Sequence, residues 1–184
     1  VTNLLATNPY VCIIALDFSK AFDTVHHSTL LEKMAKLELP DNVYNWLVDF
    51  FYGHAHCTQY NGKVSALHEI TASLIQGSSL GPSSYVVNAA DLKAVTNGND
   101  MTKFADDTYI IIPASNIDTR DMEIDNVETW ARVNNLKLNR SKCCEMIITD
   151  NRGRAQNKAI PIVLEGLHRV TSLKILGVTI TNNL

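Results

Sequence analysis

The sequence predicts an α+β fold, on three observations. Residues 10–18 form a near-continuous apolar run that ends in an acid, as expected of a central strand buried on both faces. Residues 101–112 have the pattern of a β-hairpin whose tip carries two adjacent acids, Asp106 and Asp107. Segments with helical spacing lie between these strands and after them. This order is the split βαββαβ arrangement of ferredoxin-like folds, with an antiparallel sheet and helices on one face.

The elements between the first strand and the acidic hairpin are assigned from their spacing. Ser28 is expected to cap the first helix, and Pro40 is expected to break it. Pro82 suits the first turn of the last helix, where backbone N–H groups can face a ligand. In chain order the predicted elements are helices over residues 26–39 and 41–53, a hairpin turning at Asn61-Gly62, a short strand over 70–75, and a helix after a loop over 76–81.

The chain after the acidic hairpin is expected to continue as one helix and several strands. In chain order the predicted elements are an amphipathic helix over residues 116–135, strands over 136–138 and 143–149 joined by a turn, a polar and basic linker over 151–159, and strands over 160–166 and 173–180. Val1 in place of an initiator Met indicates that the sequence begins within a longer protein.

Length and composition fit one globular domain with a proper core. The chain has 184 residues, of which 46% are hydrophobic and 19% charged. No apolar run in the sequence is long enough to span a bilayer, so no membrane association is expected. The four cysteines form no CxxC pair, which argues against a zinc site or a disulfide framework. They fit a reducing, intracellular compartment, and nuclear or cytoplasmic residence is left open because no compact basic cluster is present.

Three acids are candidates for one metal site. The split arrangement places the first strand beside the hairpin, which would bring Asp17 close to Asp106. Adjacent carboxylates repel unless a cation lies between them, and hard oxygen ligands suit Mg²⁺ or Mn²⁺. Converging carboxylates can hold two such ions about 4 Å apart for an in-line phosphoryl displacement. The residues alone leave an alternative open, in which Asp106 and Asp107 form a polar turn that caps an ordinary hairpin.

Five sequence blocks resemble those of reverse transcriptases, and most of all those of non-LTR (LINE-type) retrotransposons of the jockey group. In order they are LDFSKAFDTV, IQGSSLGPSSY, FADDTYI, NNLKLNRSKCCEMII and LKILGVTI. The blocks cover nearly the whole chain, from Tyr10 to Ile180. The resemblance implies a polymerase palm over residues 1–150. It also implies a linker and the start of the palm–thumb connection over residues 151–184, with fingers and thumb largely absent.

The resemblance implies an RNA-directed DNA polymerase in which a primer 3′-OH attacks the α-phosphate of a dNTP with the help of two Mg²⁺ or Mn²⁺ ions. The implied metal ligands are Asp17, Asp106 and Asp107, with the carbonyl of Phe18 as an auxiliary ligand. Lys142 lies where the family has a mobile lysine that protonates the pyrophosphate leaving group. Its alternative role is that of a surface lysine in a turn.

Further residues are implied to contact substrate. Phe22 matches the family's aromatic steric gate, which excludes a 2′-OH; its alternative role is that of a core residue anchoring the following helix. Leu176 and Gly177 resemble the turn of the hairpin that grips the primer strand. The residues implied to touch the incoming nucleotide or the template base are Lys20, Ala21, Gln76 and Gly77.

The implied partners are an RNA template, a DNA primer and dNTPs, together with other domains of a longer polyprotein: an endonuclease, fingers and a thumb. The net charge of −3 is unusual for a nucleic-acid-binding protein. By the resemblance, most basic contacts belong to the missing fingers and thumb. Two other interpretations compete: an inactive, truncated or domesticated transposon remnant with a palm fold, and a metal-free ferredoxin-like interaction domain. Phe22 argues against a polymerase of ribonucleotides.

Overall fold

The computed structural model describes residues 1–75, 77–149 and 159–183. They form two compact units that alternate along the chain. Unit 1 comprises Val1–Ser19, Leu92–Val133 and Lys137–Leu184, and unit 2 comprises Lys20–Asp91 and Asn134–Leu136.

The helices and strands of the described residues are as follows. The helices are α1 (Thr2–Leu5), α2 (Ala21–Thr24), α3 (His27–Met34), α4 (Asp41–Phe51), α5 (Leu80–Asn88) and α6 (Arg120–Val133), with a 3₁₀ helix over Ala114–Thr119. The strands are β1 (Tyr10–Leu16), β2 (Ala55–His56), β3 (Gln59–Tyr60), β4 (Lys63–Val64), β5 (His68–Glu69), β6 (Asp100–Phe104), β7 (Asp107–Pro113), β8 (Cys144–Thr149), β9 (His168–Arg169), β10 (Ser172–Ile175) and β11 (Val178–Thr181). None of the helices described is long and apolar enough to cross a membrane.

Unit 1 is built on a five-stranded sheet of the described residues, in the order β6-β7-β1-β8-β9. β1 lies in the middle and is antiparallel to both neighbours, β7 and β8. The first strand therefore pairs directly with the acidic hairpin, as predicted. The expectation of a wholly antiparallel sheet is wrong, because β9 joins β8 in parallel. A parallel pair needs a long connection, and β8 ends at Thr149 whereas β9 begins only at His168.

Both faces of β1 are buried, as the apolar run predicts. Arg120 of α6 bonds to Glu145 of β8, which pairs with Ile14, so α6 lies on the face of Ile14. The expectation that helices cover only one face is wrong in detail. α1 and the β10–β11 hairpin contribute apolar side chains to the opposite face. The buried cluster on that face consists of Leu5, Val11, Ile13, Cys144, Met146, Ile148 and Leu173.

The predicted strand over residues 160–166 is not formed. The carbonyls of Pro161 and Ile162 accept side-chain hydrogen bonds instead of entering a ladder. Arg169 donates to the first and Arg120 to the second, at 2.7 and 3.1 Å. These two carbonyls are therefore occupied by arginine side chains that also bind Glu145. The predicted linker over residues 151–159 lies outside the described residues, except for residue 159.

Unit 2 contains α2 to α5 and two short hairpins, and α3 packs against both α4 and α5. The predicted turn at Asn61-Gly62 is confirmed, with positive φ angles of 47° and 73° between β3 and β4. α3 begins at His27 with His26 as its N-cap, so the prediction of Ser28 as cap is wrong. The predicted strand over residues 70–75 is reduced to an isolated bridge between His26 and Ala72.

Candidate active site

The acidic hairpin turns one residue earlier than its sequence suggests. Phe104 pairs with Asp107, so the two-residue turn consists of Ala105 and Asp106. Ala105 has a φ of 51°, in the left-handed region that tight hairpin turns require. Asp106 therefore stands at the tip, whereas Asp107 is the first residue of β7. The alternative of a polar Asp106-Asp107 turn is wrong in its register.

Asp17 lies at the same end of the paired strands as these two acids. The last pair between β1 and β7 joins Leu16 to Thr108, and one further step of that register brings Asp17 opposite Asp107. Partial burial raises the pKa of Asp107 above its ordinary value, and the charges of Asp106 and then Asp17 raise it further. The structure thus brings three carboxylates within electrostatic reach of one another.

A divalent cation fits this arrangement on charge and on donor type. The raised pKa of Asp107 means that its charged form is less favoured here than in water, and a cation between the acids would reverse that effect. Carboxylate oxygens are the ligands that Mg²⁺ and Mn²⁺ prefer. No group of three or more His, Cys, Asp or Glu side chains is already gathered into metal-binding geometry among the residues that the structure describes. Substrate phosphates and water commonly complete a magnesium shell when protein ligands are few.

Phe18 follows Asp17 and fixes the end of the strand in the core. Its ring is buried and contacts Trp130 edge to face, with centroids 5.9 Å apart. Phe18 also forms an isolated antiparallel bridge with Leu138, in which the N–H of Asn139 donates to the carbonyl of Asp17 at 2.8 Å. The bridge uses the peptide groups on either side of Phe18. Because successive carbonyls of a strand point to opposite edges, the Phe18 carbonyl faces away from Leu138.

Lys142 and Cys143 end the turn that leads into β8. Lys142 is exposed, and its N–H donates to the carbonyl of Asn139 at 3.0 Å. Cys143 is fully buried, and its sulfur accepts the N–H of Asp17 at 3.4 Å. Burial raises the pKa of the Cys143 thiol, so the group stays protonated. Cys143 is not among the residues predicted from the sequence, where its one signal is its position directly after Lys142 in a family block.

The residues of unit 2 that were predicted to contact substrate lie at the start of α2 and in the loop before α5. Lys20 caps α2 with a φ of 50°, and Ala21 behind it is buried. Phe22 is half-buried, and its ring stacks on that of Tyr85 with centroids 4.9 Å apart and planes at 23°. Tyr85 itself is 1% exposed. One face of Phe22 is therefore anchored on the core, which fits both its role as a gate and its role as an anchor.

The Gly- and Ser-rich loop leads into α5 as predicted, with Pro82 in the first turn of the helix. Gln76 lies outside the described residues, and Gly77 adopts a φ of 85°. A Cβ on Gly81 would stand 2.7 Å from the carbonyl oxygen of Ile75, so only glycine fits there. The loop bonds to itself, because Ser78 Oγ donates to that same carbonyl at 2.9 Å and accepts the N–H of Gly81 at 3.0 Å.

Leu176 and Gly177 form the turn between β10 and β11. Their φ angles are 48° and 84°, the pair of positive values that a type I′ hairpin turn needs. The Leu176 side chain is 57% exposed at the tip. The predicted hairpin is confirmed, and a contact between its tip and a primer strand stays a prediction.

Comparison with known proteins identifies the family of the chain. A family model described as "Reverse transcriptase (RNA-dependent DNA polymerase)" matches residues 2–180. The RNA-directed DNA polymerase from mobile element jockey of Drosophila melanogaster is 28% identical over 180 residues, which are 92% of this chain and 19% of that protein. Its counterpart in Drosophila funebris is 30% identical over 73% of this chain and 16% of that protein. The chain thus spans about a fifth of the length of these curated relatives or less.

Solved structures support the same fold at low sequence identity. Apo telomerase from Candida tropicalis aligns with a TM-score of 0.66 and 16% identity, over 98% of this chain and 33% of that chain. Telomerase from Candida albicans in complex with a TWJ fragment of telomeric RNA aligns with a TM-score of 0.56 and 14% identity, over 98% of this chain and 31% of that chain. At these identities the likeness concerns the fold alone.

Proposed function

Since the chain belongs to the reverse transcriptase (RNA-dependent DNA polymerase) family, we propose that it is the catalytic palm of an RNA-directed DNA polymerase from a jockey-like non-LTR retrotransposon. The observation that carries the proposal is the convergence of Asp17, Asp106 and Asp107 where β1 ends and β7 begins. Three mutually repelling carboxylates at a strand end are costly unless they serve a cation. The strand order around β1 supports a ferredoxin-like palm.

Asp17, Asp106 and Asp107 are the proposed metal ligands, and the carbonyl of Phe18, which faces away from Leu138, is a further oxygen donor. Two Mg²⁺ or Mn²⁺ ions held there would supply positive charge at the attacking and leaving oxygens of an in-line displacement. The sheet contributes rigidity, because β1 pairs with β7 as far as Leu16 and with β8 as far as Ala15. Asp106, at the tip of a two-residue turn, is fixed by the pairing of Phe104 with Asp107. Preorganised carboxylates of this kind need little rearrangement during the reaction.

The remaining residues are proposed to orient the substrates and move one proton. The backbone N–H groups of Lys20 and Ala21 would bind the triphosphate of an incoming dNTP, and Gly77 would lie near its base. Lys142, exposed on its turn, would donate a proton to the pyrophosphate oxygen as the bond to the α-phosphate breaks. The exposed Leu176-Gly177 turn would contact the primer strand.

Phe22 is the proposed discriminator between deoxyribose and ribose. Stacking on the buried Tyr85 ring restrains the rotation of Phe22, so its exposed edge presents a fixed surface. A rigid aromatic edge rejects an added hydroxyl by overlap, whereas a mobile side chain would yield. The exposed edge of Phe22 is proposed to lie under the sugar of the dNTP.

The proposed partners and setting follow from the relatives. The palm would act on an RNA template and a DNA primer, as part of a longer protein with endonuclease, fingers and thumb domains. We propose residues 1–150 as the palm and residues 151–184 as the linker and start of the connection to the thumb. All four cysteines are free thiols, which supports an intracellular site of action, in the nucleus or the cytoplasm.

Primer extension tests this function. The full chain is incubated with an RNA template, a DNA primer, dNTPs and Mg²⁺ or Mn²⁺, beside the variants Asp106→Asn and Asp100→Asn. Asp100 is the matched control, because it is an exposed acid on the same hairpin, at the far end of β6. We expect extension by the wild type and by Asp100→Asn, and none by Asp106→Asn. Equal extension by both variants would refute the assignment of Asp106. No extension by any of the three proteins would favour an inactive remnant that retains the fold.

A further inference from the structure

The backbone ladder of the sheet ends just before Asp17. Its last pair with β8 joins Ala15 to Cys144, two residues before the acid. The N–H of Asp17 therefore has no strand partner on that side. A partly buried N–H needs a hydrogen-bond acceptor, since leaving it unpaired is costly. The acceptor here is the side chain of Cys143, whose sulfur lies 3.4 Å from the Asp17 nitrogen.

The same cysteine closes a ring of hydrogen bonds around Asp17. Its S–H donates to the carbonyl of Asn139 at 3.3 Å, and the N–H of Asn139 donates to the carbonyl of Asp17 at 2.8 Å. Both peptide groups of Asp17 are thus held by one turn, one of them directly and the other through sulfur. The N–H of Lys142 donates to the same Asn139 carbonyl at 3.0 Å.

We propose that Cys143 is a positioning residue of the active site, which holds the Asp17 peptide and the turn of residues 139–142 as one unit. The inference rests on the proposed function for its catalytic meaning, and on the hydrogen-bond ring for its geometry. Cys143 is fully buried, so water does not compete for its two bonds. The side chain acts through Asp17 and the Lys142 turn and does not itself touch substrate. A displaced Asp17 carboxylate would bind a cation less tightly.

The neighbouring cysteine provides a matched control. Cys144 is also a buried thiol, but successive strand residues face opposite sides, and its side chain packs into the apolar cluster with Val11 and Ile13. Cys143→Ala and Cys144→Ala each remove one buried sulfur. Cys143→Ser keeps a donor and an acceptor on a shorter arm, so it should rescue part of the effect. If Cys143→Ala fails to fold by circular dichroism, Cys143→Ser compared with Cys144→Ser carries the test.

The first readout is amide hydrogen exchange of the full ¹⁵N-labelled chain, without metal. We expect exchange at the Asp17 amide to accelerate about tenfold in Cys143→Ala, by less in Cys143→Ser, and not at all in Cys144→Ala. The Ile14 amide, in the middle of β1, should keep its rate in all variants. An Asp17 rate within twofold of wild type in Cys143→Ala would overturn the inference. Equal acceleration in Cys144→Ala would do so too, since it would indicate loosened packing alone.

The second readout is binding of Mn²⁺ alone, measured by electron paramagnetic resonance. We expect Cys143→Ala to weaken binding severalfold, Cys144→Ala to leave it unchanged, and Asp17→Asn to weaken it most. Weakening by Asp17→Asn but not by Cys143→Ala would overturn the positioning role while the proposed function stands. If the wild type binds no Mn²⁺, the proposed function fails, and the catalytic meaning of the ring fails with it. The exchange data then report on the hydrogen-bond ring by itself.

Discussion

Replacing Glu145 by Gln should destabilise the protein far more than the same change at Glu128. Glu145 has a side-chain exposure of 0% and bonds to two arginines. Arg120 Nη1 donates to it at 2.9 Å, and Arg169 Nε donates at 3.0 Å. Loss of the carboxylate charge would leave two guanidinium groups near one neutral amide, in surroundings that water reaches only in part. Breaking a buried ion pair by removing one partner costs about 3–5 kcal/mol. The uncharged but isosteric Gln keeps one acceptor, so we expect a loss near the lower end, about 3 kcal/mol.

Glu128→Gln is the control because it makes the identical chemical change in a solvent-facing pair. Arg140 Nε donates to Glu128 at 2.5 Å, and the two side chains are 36% and 39% exposed. Exposed pairs contribute about 0–1 kcal/mol, so the midpoint of urea unfolding should hardly move. With a urea slope of about 2 kcal/mol per molar, Glu145→Gln should lower the midpoint by about 1.5 M. The measurement is equilibrium urea unfolding followed by far-ultraviolet circular dichroism. If the two midpoints agree within about 0.3 M, Glu145 with Arg120 and Arg169 does not stabilise unit 1 to the expected extent.

Three further predictions concern titration, thiol reactivity and substrate choice. Burial lowers the pKa of His27, so the unfolded chain takes up a proton first as the pH falls below about 6.5. The free energy of unfolding should therefore decrease below that pH. The decrease should be less steep in His27→Gln than in the exposed control His56→Gln, and urea unfolding at several pH values measures it. The exposed Cys57 should react quickly with a thiol reagent at pH 8. Burial raises the pKa of Cys12 to about 12, so Cys12 should react only after unfolding. Rapid reaction of a second thiol in the native protein would contradict this. Phe22→Ala should raise the use of rNTPs relative to dNTPs in primer extension, and an unchanged ratio would remove the steric-gate assignment.

Much of unit 1 could be predicted from the sequence because its strands carry strong local signals. The apolar run of β1 and the aliphatic run of β7 are long, and each has an acid at one end, so both strands and their meeting point were predictable. The turn at Leu176-Gly177 was predictable for a similar reason, since glycine tolerates the positive φ that the hairpin needs. In these cases local preference and tertiary structure agree.

The segments that could not be predicted depend on partners distant in sequence. Residues 160–166 have a strand-like pattern, but the carbonyls of Pro161 and Ile162 are taken by arginines from α6 and β9. Those arginines are turned inward by Glu145, an acid within an otherwise apolar strand. An acid in such a strand signals an ion pair, because an unpaired buried carboxylate is costly. The sequence does not indicate which cations pair with it, since an arginine or lysine from anywhere along the chain could do so.

In the candidate site, too, hydrogen bonds between residues distant in sequence could not be predicted. Asp17, Asp106 and Asp107 can be identified from motifs, since a carboxylate at the end of a predicted strand is recognisable in the sequence. The hydrogen bond that positions Asp17 could not be predicted from the sequence. The ladder between β1 and β8 stops at Ala15 and Cys144, and the N–H of Asp17 donates to a side chain from a separate turn. A thiol can serve there only if it is buried and oriented, which depends on the packing of β8 against β1. Residues that act on substrate can therefore be inferred from the sequence, whereas residues that position them must be found in the structure.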